Sequence, residues 1–108
     1  MPPFFIYEFK HNDQNYIGST TDFVCRMSAH KQHRKQNKYS HLNIYRYLND
    51  NNIENMSDFT EIIFFTDEEK TDIQRRIVEQ NYIDTRKPTL NMYRALRKKK
   101  NNQSSENN

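Results

Sequence analysis

The chain has 108 residues, of which 33% are hydrophobic and 29% charged, with a formal net charge of +3. That length holds one domain, and 22 Leu, Ile, Val and Phe residues with seven Tyr supply a small, aromatic-rich core. No stretch approaches the roughly 18 apolar residues of a membrane span, and a lone cysteine, Cys25, excludes an internal disulfide framework and a cysteine-based zinc site.

Phe4-Phe5-Ile6-Tyr7-Glu8-Phe9 is aromatic and β-branched, which predicts a strand. The apolar run ends at Glu8, too soon for a secretory signal, so an intracellular protein is expected. His11-Asn12-Asp13 reads as a tight turn and Gln14–Gly18 as the returning strand. A two-residue loop at Asn12-Asp13 sets Phe9 opposite Tyr16 and Tyr7 opposite Gly18, with Tyr7, Phe9 and Tyr16 on one face. A three-residue loop would put Tyr7 and Tyr16 on opposite faces. Ser19-Thr20-Thr21-Asp22 is a run of N-cap residues before a first helix. Its apolar stripe is Phe23, Val24 and Met27, and Arg26, His30 and His33 line an adjacent face. A second helix fits His41–Asn49, with Leu42, Ile44, Tyr45 and Leu48 as its apolar positions. Asp58–Phe65 reads as a third strand with a buried hydrophobic end. Thr66-Asp67-Glu68-Glu69 matches a capping box opening a third helix through Ile73, Ile77, Val78, Tyr82 and Ile83, ending near Pro88. A last helical turn fits Met92–Lys100. The order is ββααβα, an α/β (α+β) fold with a small three-stranded antiparallel sheet flanked by helices.

Charge is segregated along the chain. Residues 1–50 carry +3, residues 51–70 carry −5 and residues 71–100 carry +6. Two basic clusters, Lys31, Arg34, Lys35 and Lys38, then Arg94 and Arg97–Lys100, suit a polyanion, although taken alone they fit a solvated helix face and a soluble tail better. The acidic stretch suggests one binding face and one back. Asn, Lys, Ile, Tyr and Phe together make 46 of the 108 residues. An AT-rich genome, cellular, viral or phage, accounts for that bias and for the Asn runs. Against it the single glycine, Gly18, marks a place where the backbone needs positive φ or a close approach. One glycine cannot build a phosphate-cradling loop. His30 and His33 stand at i, i+3, but without a cysteine and crowded by Lys31 and Arg34 they fit surface histidines better than zinc ligands.

Taken together, Phe5-Ile6-Tyr7, then Tyr16-Ile17-Gly18, Arg26 with His30 one turn on, Glu79 within Arg76–Asp84, and Lys87-Pro88-Thr89-Leu90-Asn91 resemble the GIY-YIG nuclease family. The match runs over roughly residues 4–95, and the pieces occur in the family's order and spacing. Phe5 stands where the family's first glycine would be. The resemblance implies a nuclease domain over residues 1–97, a basic then polar tail over 98–108, and hydrolysis of DNA phosphodiester bonds with one Mg²⁺ or Mn²⁺ ion. It implies Glu79 as the sole protein ligand of the ion, Tyr7 as general base, Tyr16 as its neighbour orienting water, and Arg26 as phosphate stabiliser. His30 would relay a proton or contact phosphate. Lys31, Arg34, Lys35 and Lys38, extending the helix of Arg26, would follow a DNA backbone. Gly18 and Asn91 would be structural at the edge of the site. Such a short chain leaves target choice to a specificity-giving partner or a homodimer. Two other readings remain open: a module of the same fold that holds nucleic acid without cutting it, and an RNA-binding α/β protein whose aromatics and basic residues merely dock.

Overall fold

A computed structural model gives the fold, with residues 3–92 and Ala95 described. The elements in chain order are β1 (Phe4–His11), β2 (Gln14–Thr20), α1 (Phe23–His33), α2 (Asn43–Asp50), β3 (Thr60–Thr66) and α3 (Asp72–Arg86), with short 3-10 turns at Asn37–Tyr39 and Met56–Phe59. The sheet is antiparallel in the order β2-β1-β3. The expected ββααβα order and three-stranded sheet are therefore found. The tail over 98–108, the domain boundary at residue 97 and the second basic cluster lie outside the described residues, as does all but Met92 and Ala95 of the expected last helical turn.

β1 is central because its run of apolar side chains has both faces to fill. Tyr7 and Phe9 point to one face, where they pack with Ile44, Tyr45 and Leu48 of α2 and with Ile53, Met56 and Leu90. Phe4 and Ile6 point to the other and pack with Ile17, Val78, Tyr82 and Ile83. The hairpin register is that of the two-residue loop: Tyr7 pairs with Gly18, Phe9 with Tyr16 and His11 with Gln14. Asn12 supplies the left-handed residue of the turn, at φ 47°. Glu8, on the Ile6 side and 2% exposed, accepts from Arg86 Nη1 at 2.6 Å and from Asn15 Nδ2 at 3.0 Å, which ties the end of α3 to the middle of the sheet.

Four local expectations are corrected. The capping box that opens α3 is Thr71 with Gln74, whose side chains each accept from the other's backbone N–H. Thr66 cannot cap the helix because it ends β3, paired with Phe4, and its hydroxyl only closes a turn onto the Glu68 N–H. β3 starts at Thr60, since Asp58 and Phe59 belong to a 3-10 turn, and its hydrophobic end is not fully buried. It is an edge strand with a bulge opposite Ile6/Tyr7. Ile63 and Phe64 pack against the core while Ile62 and Phe65 are about half exposed, at 44% and 55%. In α1, Phe23 and Met27 pack on the core, but Val24, one position round the helix, faces solvent. α2 begins at Asn43, after the Asn37–Tyr39 turn, so His41 and Leu42 precede it.

The outer edge of β2 is covered by the segment after α3. Helix α3 ends before Pro88, with Lys87 left-handed at φ 48°. Leu90 N–H donates to the Asn15 carbonyl, and Asn15 and Thr89 exchange two further bonds. The Asn91 amide accepts from Ile17 N–H at 2.8 Å and donates to Ile17 C=O at 2.9 Å, pairing the strand as a neighbouring backbone would. Asn91→Ala orphans both groups of a buried residue. Such orphans cost about 1–3 kcal/mol, so thermal unfolding of the variant should fall by several degrees. An unchanged melting temperature would show that solvent replaces the amide.

Candidate active site

The site is built where β2, α1 and α3 meet. Tyr7 comes from the central strand and Tyr16, Gly18 and Ser19 from β2. Asp22, whose carboxylate accepts from Cys25 N–H, starts α1 and so fixes the phase that brings Arg26 and His30 over the phenols. Glu79 comes from the middle of α3.

Gly18 lies directly beneath the Tyr7 ring. A Cβ there would overlap Cζ and Oη of Tyr7. Its φ is not positive, so the glycine serves close approach and not a turn. Tyr7 is wholly buried. Arg26 Nε lies 3.4 Å from its hydroxyl and His30 Nε2 2.7 Å from it. The Tyr16 ring packs 6.4 Å from Tyr7 and 6.1 Å from His30, centroid to centroid. Burial raises both phenols well above the usual tyrosine range. For Tyr7 the neighbouring Tyr16 adds to the rise and Arg26 opposes it; for Tyr16, Arg26 opposes and Glu79 adds.

His30 is 1% exposed and is held at both ring nitrogens, by Tyr7 and, through Nδ1 at 2.7 Å, by the Tyr45 hydroxyl. Burial, then the charge of Arg26 and the proximity of His33, push its pKa down to about 3. The ring is thus neutral at physiological pH. Nothing in the sequence pointed to Tyr45, whose spacing marks it only as an apolar position of α2; its hydroxyl meets His30 across 15 residues.

Glu79 is half-buried, and its Oε1 accepts from Ser19 Oγ at 2.5 Å. Burial lifts its carboxyl above the usual range, and the Ser19 hydroxyl, Arg26 and Arg76 oppose that rise. Neither Arg75 nor Arg76 of its own helix neutralises it through a hydrogen bond. Arg75 pairs with Asp72, and Arg76 acts only through its charge. Glu79 stands between two openings. One, of about 290 Å³, is lined by Tyr16, Asn91 and Met92; the other, of about 270 Å³, by Ser19, Thr21 and Arg76. Ser19 is the second residue that sequence reasoning missed, because its partner is 60 positions away.

Among the described residues no cluster of three acidic, histidine or cysteine side chains could cage a metal. Glu79 nevertheless suits a hydrated divalent cation: of its two oxygens only Oε1 is hydrogen-bonded among the described residues, leaving a hard oxygen donor free beside the openings.

The basic residues separate into two kinds. Lys31 is exposed on α1, whereas Lys35 and Lys38 are exposed beyond its end, so the helix of Arg26 does not carry them all. Lys38 Nζ lies over the Tyr39 ring at 5.1 Å. Arg34 is engaged: its guanidinium donates to the carbonyls of Ile53 and Glu54 and to Asn49 Oδ1, bracing the end of α1 against the loop after α2. His41 is exposed, and His11 is bonded to Tyr47 away from the site.

The neutrality of His30 has a consequence for stability. Between an ordinary pKa of 6.5 and a folded value of about 3, the unfolded chain binds a proton that the folded chain refuses. Stability therefore falls as the pH drops through that window. His30→Gln, which cannot take up this proton, should lose less unfolding free energy than the parent between pH 7 and about 4.5 when both are unfolded with denaturant. Equal losses would mean that His30 is protonated in the native state.

Neither the curated proteins nor the solved structures give a significant match to the chain. No helix among the described residues is long and apolar enough to cross a membrane. The family model of the GIY-YIG catalytic domain matches residues 3–94, a span that contains both tyrosine strands, the Arg26 helix and the Glu79 helix. The chain belongs to the GIY-YIG family, whose catalytic domain is a nuclease domain acting on DNA.

Proposed function

We propose that the protein is a divalent-metal-dependent DNA endonuclease, Mg²⁺ or Mn²⁺ serving as the ion, with Glu79, Arg26, Tyr7 and Tyr16 at its reacting centre. The observation that carries this reading is the convergence of a free carboxylate oxygen, a guanidinium and two phenols from four separate elements on one β2-side site. A module that merely docked nucleic acid would have no use for buried phenols facing an arginine and a carboxylate.

Glu79 would hold the ion through the oxygen that Ser19 leaves free, and Ser19 would fix the carboxylate's rotamer. The ion, when bound, neutralises charge on the phosphoryl group and the leaving oxygen. Arg26 would turn its fork onto the scissile phosphate, where charge grows in the transition state. That movement has a second effect. In the free protein Arg26 closes over the Tyr7 hydroxyl, so engaging phosphate uncovers it for the attacking water. Tyr16, half-buried beside it, would orient that water. Tyr7 would take the water's proton while passing its own to His30 Nε2. The step must be concerted, since burial makes a free Tyr7 phenolate costly. Lys31, Lys35 and Lys38 would supply sequence-independent contacts to the DNA backbone.

Glu79→Gln keeps the acceptor for Ser19 and removes the charge. Metal-dependent cleavage should fall at least about a hundredfold while DNA binding persists. In parallel, Mn²⁺ should broaden NMR signals of Ser19 and residue 79 in the parent protein only. Parent-like cutting by the variant would remove the carboxylate from the mechanism.

Arg26→Ala should lower the single-turnover rate at saturating protein, and Arg26→Lys should not restore it, because a point charge cannot replace the fork. Lys35→Ala should weaken binding and reduce the salt slope by about one. A full single-turnover rate in Arg26→Ala would leave that residue a docking contact.

A further inference from the structure

The proton that reaches His30 must leave a buried ring, and the structure holds a route for it. Every hydrogen bond around the ring can be assigned a direction from one fixed point. Arg26 can only donate, so Tyr7 Oη accepts from Arg26 Nε. The wholly buried Tyr7 hydroxyl has one other hydrogen-bond partner among the described residues, His30 Nε2, so its proton points there. The neutral ring then carries its own proton on Nδ1 and donates it to the Tyr45 hydroxyl. Tyr45 in turn donates to His33 Nδ1, at 3.5 Å. His33 is half-buried, reaches solvent and is held in place by the Tyr39 ring stacked on it, 4.3 Å between centroids.

We propose that Tyr45 and His33 form the outlet of a proton relay that runs Tyr7–His30–Tyr45–His33 and discharges the active site to solvent at the C-terminal end of α1. The proposal rests on the nuclease reading above. As the water oxygen bonds to phosphorus and the bond to the leaving oxygen breaks, the water's proton moves to Tyr7 Oη. The Tyr7 proton moves to His30 Nε2, the Nδ1 proton to Tyr45 Oη, and the Tyr45 proton to His33 Nδ1. His33 passes a proton to solvent, and the leaving oxygen takes one from solvent. No group stays ionised in the interior, which suits the environment: burial pushes His30 down to about 3 and, with Tyr16 adding and Arg26 opposing, pushes Tyr45 up to about 12, so neither holds a charge at rest. The groups facing the chain are Arg26, Tyr16 and, through its charge on Tyr7, Glu79 at its inner end and Tyr39 at its outer end; no carboxylate of the described residues bonds to any member. Tyr45 and His33 touch no reacting atom and act as positioning residues for the proton.

The test uses the full chain with Mg²⁺ and duplex and branched DNA under single turnover. Tyr45→Phe keeps the ring and removes the hydroxyl; His33→Ala alters only the half-buried outer end, so it spares the core if Tyr45→Phe unfolds. Each should slow cleavage by about tenfold or more with unchanged affinity for DNA in the absence of metal. Added imidazole should restore His33→Ala, and the restoration should track the neutral fraction of imidazole across pH, a response that a packing role for His33 would not give. Nitrogen NMR should find the His30 proton on Nδ1 in the parent protein. Parent-like rates in both variants, failure of imidazole to restore His33→Ala, or a proton resident on Nε2 would each overturn the relay. A parent protein that cuts none of the DNA under any divalent metal would overturn the nuclease reading and the relay with it, an outcome distinct from active protein with indifferent variants.

Discussion

The Tyr7 ring lies over Gly18 with no room between them for a single methyl group, and much of the site hangs on that contact. The two residues are opposed in the hairpin register, which in turn depends on a two-residue loop at Asn12-Asp13. Slipping the pairing by one residue would carry Tyr7 and Tyr16 to opposite faces of the sheet. It would also set a side chain under the phenol. Because Tyr7 is anchored from below, its hydroxyl has a fixed place, and α1 can bring Arg26 and His30 to it.

Around that anchor, charge is distributed so that little of it is stored inside. The phenols and the imidazole are buried as neutral groups, and burial shifts each away from its charged form. Fixed charge enters through Arg26 and Glu79, both half-buried, with Glu79 beside openings to solvent and Arg76 acting on it through its charge. Such an arrangement favours reactions in which charge appears briefly on a bound phosphate and meets groups already oriented towards it. It also explains why the histidine is doubly bonded. A neutral ring with one donor and one acceptor nitrogen is satisfied only between two partners of opposite polarity, and Tyr7 and Tyr45 provide them.

The two sheet edges are treated differently. The β2 edge is occupied by Thr89, Leu90 and Asn91, so backbone and side-chain groups from the far end of the described chain seal the strand that carries Tyr16 and Gly18. The β3 edge is interrupted by a bulge and left partly exposed, with Glu61 beside Ile62 on the strand. The sealed edge is the one next to the carboxylate and the phenols.

Much of this was legible in the sequence because it depends on short-range patterning. Alternating aromatics and a turn pair marked the hairpin and left its register between two loop lengths; a run of capping residues placed the start of α1; a glycine in a glycine-poor chain marked a special backbone position; and the order of Tyr7, Tyr16, Arg26 and Glu79 pointed to the family. What the sequence by itself could not decide was every choice made by competition between distant groups. Thr66 and Thr71 both begin a capping pattern, and only the pairing of Thr66 with Phe4 in the sheet leaves Thr71 as the cap. Arg34 belongs to a basic cluster by spacing, yet carbonyls some 20 residues away claim its guanidinium. Ser19 and Tyr45 carry no local signal of the contacts they make. They acquire roles because packing brings a hydroxyl against Glu79 in one case and His30 in the other, and a buried carboxylate or imidazole must find a partner wherever the tertiary fold supplies one.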